Sequence, residues 1–167
     1  EAGALIQGRG ESPDGSGGVG VMGDVAQFTN LGTIIAGDET GVYIDGTTGT
    51  FRNAGTITAT GNYDVNHFGV GVALNLQVTD FINSGSISGN WGAVSLQHGA
   101  TTFRNEATGK IFGTTESAVG IESGGGIDDF TNAGRITALA DTRQGRSAVF
   151  VSGGVRSFTN SNIVESY

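Results

Sequence analysis

Apolar positions in this chain alternate with polar or small ones in short bursts, and the bursts repeat. The longer burst reads Phe-x-Asn-x-Gly-x-Ile, at Phe28 to Ile34, Phe51 to Ile57, Phe81 to Ile87 and Phe130 to Ile136. A stretched copy runs from Phe103 to Ile111. The last, Phe158 to Val164, has Asn162 in place of Gly and Val164 in place of Ile. Even Ala2-Gly3-Ala4-Leu5 fits the second half of the motif. The shorter burst is a Val-x-Ile type, at Val19, Val42, Val72, Val94, Val119 and Val149 with the apolar residue two positions on. Alternation with a period of two predicts β-strands. Helix is a poor reading, because glycine recurs too often and no segment holds a period of 3.6 over three turns.

The spacing between bursts separates fixed segments from variable ones. From each Val to the next Phe the step is 9 residues in five cases and 11 in one. From Phe to the Ile position it is 6 in five cases and 8 in one, whereas from Ile to the next Val it ranges from 7 to 15. A parallel β-solenoid imposes this asymmetry. Each coil lies on the one before, about 4.8 Å away, so a residue inserted within a strand turns every later side chain to the other face. Extra residues are tolerated only at corners. The pattern predicts an all-β chain, residues 1–167 forming one right-handed parallel β-helix (β-solenoid) of about six coils of 22 or more residues with corner insertions. The Phe column is expected to stack ring on ring inside the tube. The Asn column (30, 53, 83, 105, 132, 160) should bond to backbone groups and to the Asn above and below. The Gly column (3, 32, 55, 85, 109, 134) is expected where the backbone needs positive φ, a region that Asn162 also tolerates.

Composition narrows the function classes. A net charge of −8 argues against nucleic acid as a partner, since phosphate binding needs a basic face. With no Cys, disulfide scaffolds and thiol chemistry are excluded. No apolar run approaches the roughly 20 residues of a membrane-spanning helix. The chain opens on Glu1, partway through a repeat, and neither end shows a capping helix. It is therefore expected to be a segment of a longer array.

Tandem blocks such as Phe51-Arg52-Asn53-Ala54-Gly55-Thr56-Ile57, with no Cys and a single Lys, resemble the passenger domains of bacterial autotransporters. More loosely they resemble other large secreted β-helical adhesins. The resemblance extends from Glu1 to Val164. It implies export through the periplasm, a C-terminal outer-membrane barrel that this segment does not contain, and display at the bacterial cell surface or secretion. Such families include adhesins, self-associating biofilm proteins, toxins and proteases. The expectation is an adhesin segment acting without a cofactor and without catalysis. Its partners would be a host-cell surface glycan, an extracellular-matrix protein or a sister molecule. A pure spacer stalk and a polysaccharide-active β-helix enzyme are the alternatives.

Candidate binding residues fall in the variable corner between Ile and Val. The insertion after Ile57 carries Asn62, Tyr63, Asp64, Asn66, His67 and Phe68, and Trp91, the only Trp, sits in the short corner of the next coil. Aromatic faces beside amide, carboxylate and imidazole groups suit sugar rings; the alternative is that Tyr63 and Phe68 cover Trp91 as packing. The insertion after Ile136 holds Asp141, Arg143, Gln144 and Arg146, the one cluster of basic charge. A Ser-His-Asp triad finds no support, because His67 and His98 lie on different stretches of their coils and no nucleophile-elbow motif occurs. Asp38 with Glu39 and Asp64, or Asp45, Asp80, Asp128 and Asp129, are the carboxylates open to hydrolase or lyase chemistry. No metal site is expected. Gly124 to Asp129 has Ile127 where a calcium nonapeptide needs Gly, and the pattern does not recur.

Overall fold

The computed structural model describes residues 5–8, 16–37, 39–61, 69–115, 117–121, 125–139 and 147–167. Every regular element among them is a strand, and no helix is long and apolar enough to cross a membrane. The first coil contains β1 (Leu5–Gly8), β2 (Ser16–Val21) and β3 (Val25–Asn30), the second β4 (Thr33–Ala36), β5 (Thr40–Ile44) and β6 (Thr48–Asn53). The third has β7 (Thr56–Ala59), β8 (Val72–Leu74) and β9 (Val78–Asn83), the fourth β10 (Ser86–Gly89), β11 (Val94–Leu96) and β12 (Gly99–Asn105). The fifth has β13 (Lys110–Gly113), β14 (Val119–Ile121) and β15 (Gly126–Asn132). The sixth has β16 (Arg135–Ala138), β17 (Val149–Val151) and β18 (Val155–Asn160), and β19 (Ile163–Ser166) opens a further round.

Taking every third strand gives three parallel sheets. The first has seven strands, from β1 through β4 to β19, and the second (β2 to β17) and third (β3 to β18) have six each. The expected solenoid of about six coils is what forms. Register follows the motif, with Phe51 between Phe28 and Phe81, Ile57 between Ile34 and Ile87, and Val72 between Val42 and Val94. Within β6 the burial order at Phe51-Arg52-Asn53 is in, half-out, in, as a period of two requires.

Inside the tube the phenylalanines stack with centroids 4.7 to 5.0 Å apart and ring planes within 8° of parallel. Phe51, Phe81, Phe103 and Phe130 are fully buried, and their spacing equals the rung height because the backbone fixes it. Beside them runs a polar ladder. Asn30 Nδ2 donates to Asn53 Oδ1 at 2.8 Å, and the relation repeats from Asn53 to Asn83, Asn83 to Asn105, Asn105 to Asn132 and Asn132 to Asn160 at 2.8 to 2.9 Å. Along this ladder the sequence separation runs 23, 30, 22, 27 and 28 residues, so coil length varies while ladder height does not. Each amide also faces carbonyls at the turn; Asn53 Nδ2 lies 3.2 Å from both Gly55 O and Ser86 O. A buried amide left unpaired would cost about 1–3 kcal/mol, so the ladder tolerates no missing member.

The stretched copy keeps register by expanding the turn. Asn105 Nδ2 reaches Gly109 O across four residues instead of two, and Gly109 N–H donates to Glu106 O at 2.7 Å. Val94 pairs with Val119 but Phe103 with Phe130, so two further residues are taken up at the corner between β14 and β15.

The motif glycines serve a purpose other than the expected one. Positive φ among the described glycines occurs at Gly99 (φ 81°), not at Gly32, Gly55, Gly85, Gly109 or Gly134, while Gly3 lies outside the described residues. What these positions exclude is the Cβ itself. At Gly55 it would overlap the Gly32 carbonyl oxygen of the coil below, at Gly85 that of Gly55, and at Gly134 that of Gly109. In the last coil Asn162 turns its side chain onto the Ala133 carbonyl, 3.0 Å away. Steric exclusion predicts that Gly55→Ala destabilises the fold by about 1–3 kcal/mol or more. It also predicts that Gly55→Asn is no milder, as urea unfolding will show. An asparagine variant close to wild type would restore the backbone-angle reading.

Candidate functional site

The first strand of each coil ends in a corner that leads to the second sheet. The N–H of the residue beyond the strand donates to the carbonyl that closes the equivalent strand below: Thr60 to Ala36, Asn90 to Ala59, Thr114 to Gly89, Leu139 to Gly113 and Tyr167 to Ala138. This staircase holds the corners at one edge. The segments 9–15, 62–68 and 140–146 all connect first-sheet to second-sheet strands, at rungs two and then three steps apart, or about 10 and 14 Å. All six candidates from Asn62 to Phe68, and Asp141, Arg143, Gln144 and Arg146, lie outside the described residues. So does Asp38.

The base of the middle insertion is described. Gly61 and Gly69 are buried and touch, since a Cβ on Gly69 would run into the Gly61 backbone. The chain therefore departs and returns through a narrow neck at Gly61 and Gly69. Trp91 sits on that neck, its N–H donating to Gly69 O at 3.0 Å and its side chain half-buried. Next to it Asn90 Nδ2 donates to Thr60 O at 2.9 Å. Glu39, one rung below the neck, is buried at the same edge.

Polar groups elsewhere form small local sets. At the corner from second to third sheet, Asn75 Nδ2 donates to Tyr43 Oη at 2.7 Å and to Asp45 Oδ1 at 2.9 Å. The Nδ1 of exposed His98 lies 2.6 Å from Asn75 O, where only a protonated nitrogen can bond. Thr47 donates to Asp24 Oδ1 twice, from its hydroxyl at 2.7 Å and its amide at 2.8 Å. On the outer face of the third sheet Thr102 lies between Asp80 and Asp129 and donates to Asp80. The two carboxylates are therefore two rungs apart, about 10 Å at the backbone. Asp128 pairs with Arg156 at 3.2 Å. Glu165 accepts from Arg135 and from the Tyr167 hydroxyl; the Tyr167 bond is the larger cause holding its carboxyl below the usual range. No three His, Cys, Asp or Glu side chains among the described residues group as metal ligands.

One concavity was missed from sequence. A groove of about 440 Å³ runs along the third sheet's leading edge across four coils, past Gln77, Thr101, Asp128 and Arg156. Gly126 and Gly154 are part of its lining. Its volume falls in the small-ligand range, but its charged groups are already paired with each other. No protein-family model, curated protein or solved structure matches the chain.

The Thr47 bonds hold the Asp24 carboxyl below its ordinary value of 3.8, hydroxyl first and amide second, against a small opposing effect of burial. A depressed carboxyl adds stability that is present above the unfolded value and lost as pH falls through the folded one. Thr47→Val should move the Asp24 pKa up toward its ordinary value in a carboxyl NMR titration. No movement would mean that the hydroxyl bond is not what lowers it.

Proposed function

We propose that this chain is a rod segment of a surface-displayed or secreted bacterial adhesin of the autotransporter passenger kind, binding non-covalently through its insertion-bearing edge. One observation carries the reading: the three longest insertions all join the first sheet to the second. A rigid register thereby displays variable segments in a line, the arrangement in which loops on a scaffold serve recognition. The middle insertion is richest in groups that suit carbohydrate, with Tyr63 and Phe68 as ring faces and Asn62, Asp64, Asn66 and His67 as hydrogen-bonding groups. Trp91 stands at its neck. The third insertion, with Arg143 and Arg146, adds positive charge for an acidic glycan or matrix protein. The resemblance of the repeat to passenger domains supports the cell-surface location.

The test is to delete residues 62–68, close Gly61 onto Gly69 and measure binding of the displayed protein to host cells and a glycan panel. The neck geometry leads us to expect an unchanged melting temperature with binding reduced at least about tenfold, equivalent to about 1.4 kcal/mol. Undiminished binding would remove this loop from the mechanism. Absence of binding by the parent chain would favour a spacer that holds other segments away from the cell. Release of reducing ends or unsaturated sugars from acidic polysaccharide would favour the enzyme alternative.

A further inference from the structure

The outer face of the third sheet differs in charge from the rest of the chain. Its strands carry Arg52 on β6, Asp80 on β9, Arg104 on β12, Asp128 and Asp129 on β15, and Arg156 on β18. Positive and negative groups balance there, on a chain whose net charge is −8. From β6 onward the sign also alternates from each strand to the next.

Register arranges these groups in outward columns. One column holds Thr50, Asp80, Thr102 and Asp129, and its neighbour holds Arg52, Ile82, Arg104 and Thr131. The two acids are therefore two rungs apart in one column and the two arginines two rungs apart in the other, about 10 Å in each case. β6, β9, β12 and β15 each have a paired strand on both sides, so the pattern belongs to the body of the rod. Arg156 closes on Asp128 at 3.2 Å. Arg52, Arg104 and Asp129 form no ion pair among the described residues, and neither does Asp80, which accepts from the Thr102 hydroxyl. Arg104 and Asp129 are exposed, and Arg52, Asp80 and Ile82 are half-buried.

Such a face is complementary to itself when a second copy lies against it with its axis reversed. Set β6 opposite β15 of the partner copy, and β9 falls opposite β12. Every positive strand then faces a negative one: Arg52 meets the strand of Asp129, and Arg104 meets the strand of Asp80. Two-fold symmetry makes each contact twice and closes the pair. The two Ile82 side chains come to adjacent rungs beside the axis and form a small apolar centre. With axes parallel and strands level, β6 would face β6 and β12 would face β12, setting arginine against arginine at a cost in affinity. Elsewhere the acidic surface resists close approach of a second copy, whereas this sheet carries no net charge.

We infer that this chain pairs side by side with a second copy running in the opposite direction, third sheet against third sheet, through Arg52, Asp80, Arg104 and Asp129 of each. The matched patch spans four rungs and one strand length, roughly 20 Å each way, which puts the contact in the small and transient class. The third side of the tube lies opposite the corner between the first and second sheets. Pairing therefore leaves the insertions of both copies pointing outward, and it does not rest on the adhesion reading.

Charge exchange between copies tests the pairing. Sedimentation of the parent chain over a concentration series should show a reversible equilibrium that stops at the dimer. Arg104→Asp and Asp80→Arg, each checked for native melting, should each weaken dimerisation at least about tenfold, because each sets like charges together. An equimolar mixture of the two should restore it, since both central contacts are again between opposite charges. Arg52→Asp mixed with Asp129→Arg should behave in the same way. Restoration by the first mixture but not the second would overturn the antiparallel register in favour of a parallel one staggered by a rung, where Arg52 meets Asp80. A parent chain monomeric throughout, single variants that dimerise as the parent does, or mixtures that restore nothing would overturn the inference outright.

Discussion

The fold depends on one constraint: each coil must present the same atoms at the same height as the coil below. Parallel backbone pairing fixes the rung, and the asparagine ladder fixes position along it. Each amide from Asn53 to Asn132 is a donor to the next coil and an acceptor from the last, so a slip at these rungs would leave two buried groups unpaired. The phenylalanine stack adds apolar burial at the same heights. Neither column tolerates a change of spacing within its strand, and both tolerate coil separations from 22 to 30 residues, because the difference leaves at corners.

This division between fixed interior and free edge also governs where function can reside. Buried positions are committed to stacking. Outward positions lie on flat strands whose polar groups make local pairs, such as Thr102 with Asp80 or Arg156 with Asp128. The edge after the first sheet is different. There the staircase of amide bonds holds each corner in place while its length varies, and the Gly61–Gly69 neck lets seven residues leave without disturbing the next rung. A binding reading therefore centres on that edge rather than on the repeated block.

Much of the fold was legible in the sequence, because a repeat reports its own register. Phe51, Asn53, Ile57 and Val72 stand where counting placed them, and Asn105 to Gly109 shows the stretched copy accommodated by a wider turn. The glycines were misread for a physical reason. A single coil viewed alone suggests that Gly55 is needed for its backbone angle, whereas the obstacle is Gly32 O in the coil below. That contact is between stacked coils and has no signature within one motif. The groove beside Asp128 was illegible for a related reason, since its lining, Gly126 and Gly154 included, comes from different coils. Of the proposed site residues, Trp91 alone lies among the described residues, and its amide meets the loop neck at Gly69. No repeat rule extends to the insertions themselves, whose residues were chosen by chemical type.

On this view the buried amides act as one connected unit rather than as separate turn-forming residues. A double-mutant cycle on Asn83 and Asn105, each fully buried and joined by a 2.8 Å bond, tests this most directly. With stability measured by urea unfolding of Asn83→Ala, Asn105→Ala and the double variant, the pair should cost less than the sum of the singles. The coupling should lie within about 0.5–3 kcal/mol, the range for residues in one network. Costs that add to within about 0.3 kcal/mol would contradict it, showing each asparagine to serve only its own turn.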